Sequence, residues 1–217
     1  MEIKAIIYDF DGVICDSVDV KTVAFAALYE PYGAAVQEEV VKYHLLNGGI
    51  SRFEKIRYYH RILLDIDISD AEVDQLATRF ADLVKEKVIK APYIRGADIF
   101  LKNSSDKVMQ YICTGTPEYE ILDIIKKKNL AHFFKGIYGA PKKKTAIIAD
   151  ILKESNYDVS NYLYIGDAIT DYDAAMTHRM PFLGVLNSTT KFPRGTKVIS
   201  DFHGLSIDNI SDSVFFS

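Results

Sequence analysis

The stretch Ile3-Lys-Ala-Ile-Ile-Tyr-Asp9-Phe10-Asp11-Gly12-Val13 decides how the chain is read. It begins as a short, nearly unbroken apolar run, the pattern of a strand buried on both faces of a parallel sheet. It ends in two carboxylates one residue apart, followed by a glycine. Alternation along an extended chain puts Asp9 and Asp11 on the same side, and Gly12 permits a sharp turn. Asp and Gly are common wherever a strand ends. Two carboxylates this close are costly, however, unless a cation or a proton neutralises them, which favours a functional reading.

Working outward, similar apolar runs recur at 107–113, 136–140, 161–166, 182–186 and 197–202. Helical patterns separate most of them. Pro117 opens one, with Tyr119, Leu122, Ile125 and Leu130 expected on one face; a second spans 144–153 and a third 169–178. Alternation of strands and helices predicts an α/β fold, a doubly wound parallel, Rossmann-like sheet. Residues 16–93 break the rhythm. They hold no strand-like run but at least three amphipathic patterns: Val20, Val23, Ala27 and Leu28; Phe53, Ile56, Tyr59, His60 and Leu63; and Val73, Leu76, Phe80, Leu83, Val84 and Val88, with Ser69 and Asp70 as N-cap candidates. The expected division is a core of 1–15 and 94–217 with an all-helical insert, or cap domain, of 16–93.

Three further groups fall at expected strand ends, where open α/β sheets bind ligands. Thr114-Gly115-Thr116-Pro117 combines hydroxyls with the amides of a helix start, a ready anion site; Thr116 before Pro117 also reads as an N-cap. In Pro141-Lys142-Lys143-Lys144 a lysine run is usually a solvated face, yet one lysine aimed inward would balance the acidic groups. Lys144 is favoured because the helix starts there. In Gly166-Asp167-Ala168-Ile169-Thr170-Asp171 the two carboxylates are four residues apart and share one side of a helix start, although acidic residues favour such positions anyway.

Composition narrows the function classes. The 217 residues are 48% hydrophobic and 26% charged, with a formal net charge of −4. A general nucleic-acid binder needs a basic stripe, which this balance does not offer. No apolar run approaches the ~20 residues that span a bilayer, and no signal-peptide pattern opens the chain. Cys15 and Cys113, the only cysteines, offer neither a disulfide framework nor zinc spacing. A reduced, cytoplasmic protein is expected.

Taken together, the four groups resemble the motifs of the haloacid-dehalogenase-like superfamily, in its phosphatase branch with a helical cap. Asp9-Phe10-Asp11-Gly12-Val13 matches the first motif, with Asp16-Ser17 the pair often found beyond it. Thr114-Gly115 matches the second, a lysine of 142–144 the third, and Gly166-Asp167 with Asp171 the fourth. The third departs from the family pattern, which often has Lys-Pro where this chain has Lys144-Thr145. The resemblance implies a Mg²⁺-dependent phosphomonoester hydrolase acting on a small phosphorylated metabolite. It assigns Asp9 as nucleophile and metal ligand, Asp11 as acid/base and carbonyl ligand, Asp167 and Asp171 as further metal-site carboxylates, and Thr114, Gly115 and Lys144 as phosphate holders. Asp171 holds the metal's waters or orients Lys144. An ordinary Asp titrates near ~3.9, too low for an acid at neutral pH. Nearby negative charge is expected to raise Asp11 above that. An acid/base Asp two residues past the nucleophile favours phosphate esters over haloacids.

The insert should act as a lid. Within it Asn47-Gly48-Gly49-Ile50-Ser51-Arg52 stands out: paired glycines allow close approach, and Arg52 either grips the substrate or follows Ser51, as N-cap, into solvent. The five histidines show no ligand spacing and are read as structural, and the cysteines as inert. A phosphosugar mutase of the β-phosphoglucomutase type carries the same motifs and stays open, as does a monomer or homodimer. A signalling receiver domain also combines Asp, Thr and Lys on a parallel sheet, but its acceptor Asp ends a middle strand and its ~120 residues leave no room for the insert.

Overall fold

The computed structural model describes residues 2–155 and 157–210. Six parallel strands form one sheet in the order β3-β2-β1-β4-β5-β6. They are β1 (Ala5–Tyr8), β2 (Met109–Pro117), β3 (Gly136–Ala140), β4 (Tyr162–Gly166), β5 (Phe182–Val185) and β6 (Val198–Ile199). All four residues of β1 are buried. Alternation sends Ile6 and Tyr8 to one apolar cluster and Ala5 and Ile7 to the other, so the central strand is dry on both faces. The second cluster packs under α7 (Lys144–Lys153) and α8 (Ile169–Thr177) through Ile147, Ile148, Ile151, Ala174 and Ala175. The first lies under α5 (Ala97–Ser104) and α6 (Glu118–Lys127) and runs on into the insert. The order of the strands reverses between β1 and β4, and that crevice is where such sheets bind ligands.

Between β1 and β2 lie α1 (Val18–Leu28), α2 (Ala34–Leu46), α3 (Arg52–Tyr58), which continues as a π-helical turn over Tyr59–Leu64, and α4 (Asp70–Lys90). The start of α4 has a mechanism. Ser69 Oγ accepts from the Glu72 amide and Glu72 Oε2 accepts from the Ser69 amide, a capping box. Phe25, Phe80, Tyr29 and Tyr59 cluster edge-on and tilted at the centre of these helices. The two connections to the sheet run side by side: Cys15 bridges Tyr93, and the Asp16 amide donates to the Pro92 carbonyl.

Several sequence expectations need correction. In α6 the buried face is Ile121, Ile124 and Ile125, while Tyr119 is 67% exposed and Leu122 also faces solvent. In α1 the phase also shifts: Ala24, Phe25 and Leu28 are buried, and Val23 is 62% exposed. Helices α2 and α5 were not anticipated. β2 is longer than 107–113, continuing through Thr114-Gly115-Thr116 to Pro117 with a register break against β3. Thr116 is therefore not a cap, since Pro117 occupies that position without a side-chain bond.

Candidate active site

Each acidic or basic group sits at the C-terminal edge of the sheet because an apolar strand delivers it there. Asp9 follows β1 directly and is buried. Its Oδ1 accepts from the Phe10 amide at 2.6 Å and its Oδ2 from Lys144 Nζ at 2.8 Å. Lys144 opens α7 and is buried, whereas Lys142 and Lys143 face solvent, Lys142 paired with Asp150. Lys144 Nζ also reaches Asp171 Oδ1 at 2.5 Å. Asp171 has both oxygens committed: Oδ1 also accepts from Tyr164 Oη at 2.9 Å and Oδ2 from the Ala168 amide at 3.1 Å. It thus orients the lysine.

Burial would strip Lys144 of its proton, but Asp171 and Asp9 more than compensate and hold its pKa raised. Asp9 is pushed up to about 6, mainly by burial, with Lys144 opposing and Asp171 and Asp11 adding repulsion. Asp167, just past β4, is raised well above the carboxylate range by burial and by Asp9 and Asp171.

Asp11 behaves differently from expectation. Burial would raise its pKa, yet it is lowered, because Lys21 Nζ, Ser17 Oγ (2.6 Å) and Thr116 Oγ1 (3.1 Å) all donate to it. Asp9 and Asp11 therefore answer to two different lysines. Thr114 is buried, and its hydroxyl accepts from the Thr116 amide at 3.3 Å. It stands on the bulged end of β2, short of the helix start at Glu118.

Oxygens of Asp9, Asp167 and Asp171 lie within 4.8 Å of one another. Among the described residues, Asp9, Asp11, Asp167 and Asp171 have only Lys21 and Lys144 as hydrogen-bonded cations, so all four ionise together only with a further cation beside them. That donor set, hard oxygens with a charge deficit, fits a divalent cation such as Mg²⁺. Gly12 completes the acidic wall. It has φ +76°, and a Cβ there would fall 2.2 Å from Asp167 Oδ2, so only glycine lets the turn pass the carboxylate.

The insert closes onto this edge. Gly49, at φ +77°, sits so tightly that a Cβ would lie 2.3 Å from Thr170 Oγ1 and 2.9 Å from Lys144 Nζ, while Thr170 Oγ1 donates to the Gly48 carbonyl at 2.6 Å. The paired glycines thus serve approach to the sheet domain. Ser51 caps α3 by accepting from the Glu54 amide. Arg52 does not enter solvent: it is buried, stacks 4.7 Å from the Phe80 ring centroid, and donates to Glu120 Oε1 at 2.6 Å.

One cavity joins the two parts, lined by Asp9, Asp11, Thr114, Gly115 and Asp167 below and by Lys21, His44, Arg52 and Lys55 above. His44, read from the sequence as structural, lines this cavity. Its Nδ1 lies 2.9 Å from Lys55 Nζ, and burial, with Lys55 and Lys21, pushes its pKa down to about 2. Burial, with Lys21 and Lys144, takes Lys55 down to about 7. Cys15 is buried and raised to about 11, as an inert thiol would be.

Lys21, Asn187, Glu120 and Lys55 were not found from sequence. Asn187 Nδ2 holds Asp167 through its carbonyl (2.9 Å) and Oδ2 (3.1 Å). The strand-end rule applied to the polar residues after 182–186 could have found it.

The fold and this edge define a hydrolase of the phosphoryl-transfer kind. Residues 6–185 match the family described as haloacid dehalogenase-like hydrolase, and the chain belongs to it. Phosphoglycolate phosphatase of Neisseria gonorrhoeae is 25% identical over 186 residues, covering 80% of this chain and 75% of that protein. β-Phosphoglucomutase from Clostridium difficile superposes with a TM-score of 0.81 at 20% identity, covering 98% of this chain and 97% of that one. CbbY from Rhodobacter sphaeroides, solved with phosphate, gives 0.76 at 15% identity, covering 96% and 99%. At these identities the structural likeness speaks to the fold. Among the described residues no helix is long and apolar enough to cross a membrane.

Proposed function

We propose that this phosphatase of the haloacid dehalogenase-like family hydrolyses a small phosphomonoester through an aspartyl-phosphate on Asp9, with Asp9, Asp167, Asp171 and the Asp11 carbonyl as the groups that would hold Mg²⁺. The observation that carries the reading is Lys144 Nζ bridging Asp9 and Asp171 beside Asp167, at the ends of adjacent strands. Residues 16–93 are read as a lid over a core of 1–15 and 94–217. Bound there, the cation would offset the repulsion between these carboxylates and a phosphate dianion.

The remaining work falls to the chain's own groups. Asp9 attacks phosphorus as the bond to the ester oxygen breaks, and the leaving oxygen takes a proton from Asp11. Water then attacks the acyl phosphate, Asp11 takes its proton, inorganic phosphate departs and Asp9 is regenerated. Thr114, the Gly115 amide and Lys144 hold the phosphoryl oxygens. Asp11, bound by Lys21, Ser17 and Thr116, is poised as a base. To act as the acid it must first take up a proton, which loss of one of those donors on substrate binding would favour. Arg52, braced by Glu120, contributes a substrate contact from the insert.

The test is a panel of phosphorylated metabolites and p-nitrophenyl phosphate with Mg²⁺. Release of inorganic phosphate supports the reading, and no turnover of any ester overturns it. Conversion of a sugar phosphate to its positional isomer without phosphate release would favour the mutase.

A further inference from the structure

Tyr164 lies in the middle of β4 and is fully buried, but its hydroxyl ends among charged groups. β4 and β2 flank β1 on opposite sides, with Tyr164 and Tyr111 both in register with Ile7. These three side chains and Cys113 belong to the face of the sheet that packs under α7 and α8. From there Tyr164 Oη stands 2.9 Å from Asp171 Oδ1 and 3.1 Å from the Cys113 carbonyl. A phenol has one proton to give, and the nearer, ionised oxygen makes the stronger bond. Cys113 directly precedes Thr114, so the hydroxyl stands between the carboxylate that orients Lys144 and the strand that carries the phosphate holders.

The other donors to Asp171 are of a different kind. The Ala168 amide, on Oδ2 at 3.1 Å, is the N-cap of the helix that carries Asp171 itself. Lys144 Nζ, on Oδ1 at 2.5 Å, is shared with Asp9 and is assigned above to the phosphoryl oxygens. Among the described residues Tyr164 is thus the one hydrogen-bond donor to Asp171 that the sheet supplies and that has no other task in the reaction. When Lys144 turns to a phosphoryl oxygen, Asp171 Oδ1 keeps Tyr164. Without that hydroxyl a fully buried acceptor would lose a donor at the moment the lysine moves, which is costly.

We propose that Tyr164 is a positioning residue for the reaction: its hydroxyl fixes Asp171, and through Asp171 both Lys144 and the cation site. This rests on the phosphatase reading above and deepens it. Phenylalanine at 164 keeps the ring on Phe182, 6.2 Å between centroids, and removes the hydroxyl alone. Asp171 is then held by its own helix and by the lysine it has to orient.

The experiment is calorimetric titration of the EDTA-treated full chain with Mg²⁺, so that it does not depend on turnover. The proteins are the wild type, Tyr164→Phe, Asp171→Asn and the double variant. We expect Tyr164→Phe to weaken Mg²⁺ binding ~10-fold, the scale of losing a hydrogen-bond partner behind a metal ligand. In the Asp171→Asn background the same substitution should change affinity by less than about twofold, because the hydroxyl acts through that carboxylate. Tyr111→Phe is the control. It removes another hydroxyl from the same face of the sheet, one that reaches Met109 Sδ, and should leave the affinity as it was. Unchanged affinity in Tyr164→Phe overturns the proposal, as does the same loss in Tyr111→Phe or a wild type that takes up no Mg²⁺. Equal losses in both Asp171 backgrounds also overturn it, since the hydroxyl would then serve the Cys113 carbonyl. If Asp171→Asn takes up no Mg²⁺, kinetics on p-nitrophenyl phosphate at saturating Mg²⁺ replace that comparison. Tyr164→Phe should lose ~10-fold in kcat with KM within about twofold, as for an interaction made in the transition state, and an unchanged kcat overturns the proposal. Absence of turnover with any ester, with Mg²⁺ binding as expected, counts against the phosphatase reading alone.

Discussion

Arg52 and Glu120 form an ion pair, Nη2 to Oε1 at 2.6 Å, that ties α3 of the insert to α6 beside the sheet, with both side chains almost wholly buried. Among the described residues Glu120 Oε2 has no hydrogen-bond partner, so the pair is only half satisfied on the acidic side. A buried pair of this kind adds little over a well-packed apolar pair, but breaking it strands a charge. Arg52→Ala should therefore destabilise the protein by about 3 kcal/mol, and Arg52→Met with Glu120→Leu should recover most of that. Urea unfolding of the two variants checks it. A loss of under about 1 kcal/mol, the level of an exposed pair, would mean that breaking this pair strands no charge.

The acidic surplus makes a prediction about metal. Four carboxylates against two lysines should bind Mg²⁺ and be stabilised by it. Treatment with EDTA should abolish turnover of p-nitrophenyl phosphate and lower Tm, and added Mg²⁺ should restore both. Full activity after exhaustive chelation would refute the metal site. Asp167→Asn should weaken the Mg²⁺-dependent rise in Tm, because among the described residues Asp167 has no ion-pair partner and only Asn187 as a side-chain donor.

Lys55 predicts a pH dependence of stability whose sign follows from its partners. Its pKa is pushed down to about 7 by burial, with Lys21 of α1 and Lys144 of α7 adding repulsion, Asp11 and Asp167 opposing, and neutral His44 of α2 in contact. In the unfolded chain a lysine titrates near ~10.4. Between these values the unfolded state holds the proton and the folded state does not, so stability rises with pH across that window. The wild type, measured against Lys55→Met, should gain on the order of 4 kcal/mol between pH 7 and 10. His44, at about 2, is neutral throughout this range and does not interfere. Chemical denaturation at pH 7, 8, 9 and 10 gives the difference, and a flat one would mean that Lys55 stays protonated in the fold.

What the sequence made legible was whatever repeats with the period of its own element. Asp9, Thr114 and Asp167 could be placed because each follows an apolar run whose end is visible in the sequence. Lys144 could be chosen over its neighbours because the helix begins there. The residues that escaped act across elements. Lys21 lies on α1, whose phase was misjudged because Val23 is exposed while Ala24 and Phe25 are buried. Glu120 is a carboxylate on a helix face that spacing assigned to solvent. Helix α2 buries only Val40 and His44, too little to leave a stripe. The direction of the Asp11 pKa escaped for the same reason, since Lys21 and Thr116, which with Ser17 outweigh its burial, lie on other elements.

Asp9 and Asp11 are separated by one residue yet held by different partners, and that difference predicts different failures. Asp9→Asn removes the nucleophile and a metal ligand and leaves Lys144 paired with Asp171 alone. No covalent intermediate can form, and turnover should fall below detection while the fold, carried by the strands beneath, remains. Asp11→Asn keeps the main-chain carbonyl but removes the acid/base group and turns an amide toward Lys21 or Ser17. Both chemical steps should slow by about 100-fold or more. The loss should be smallest with p-nitrophenyl phosphate, whose leaving group needs little protonation. Its second step still requires a base, so phosphorylated Asp9 should accumulate in Asp11→Asn. Rapid quench with ³²P-labelled ester followed by mass spectrometry locates the label. Hydroxylamine-sensitive label on Asp9, persisting longer in Asp11→Asn than in the wild type, is the expected result. Label on any other residue, or undiminished turnover in Asp9→Asn, would exchange or abolish the two roles.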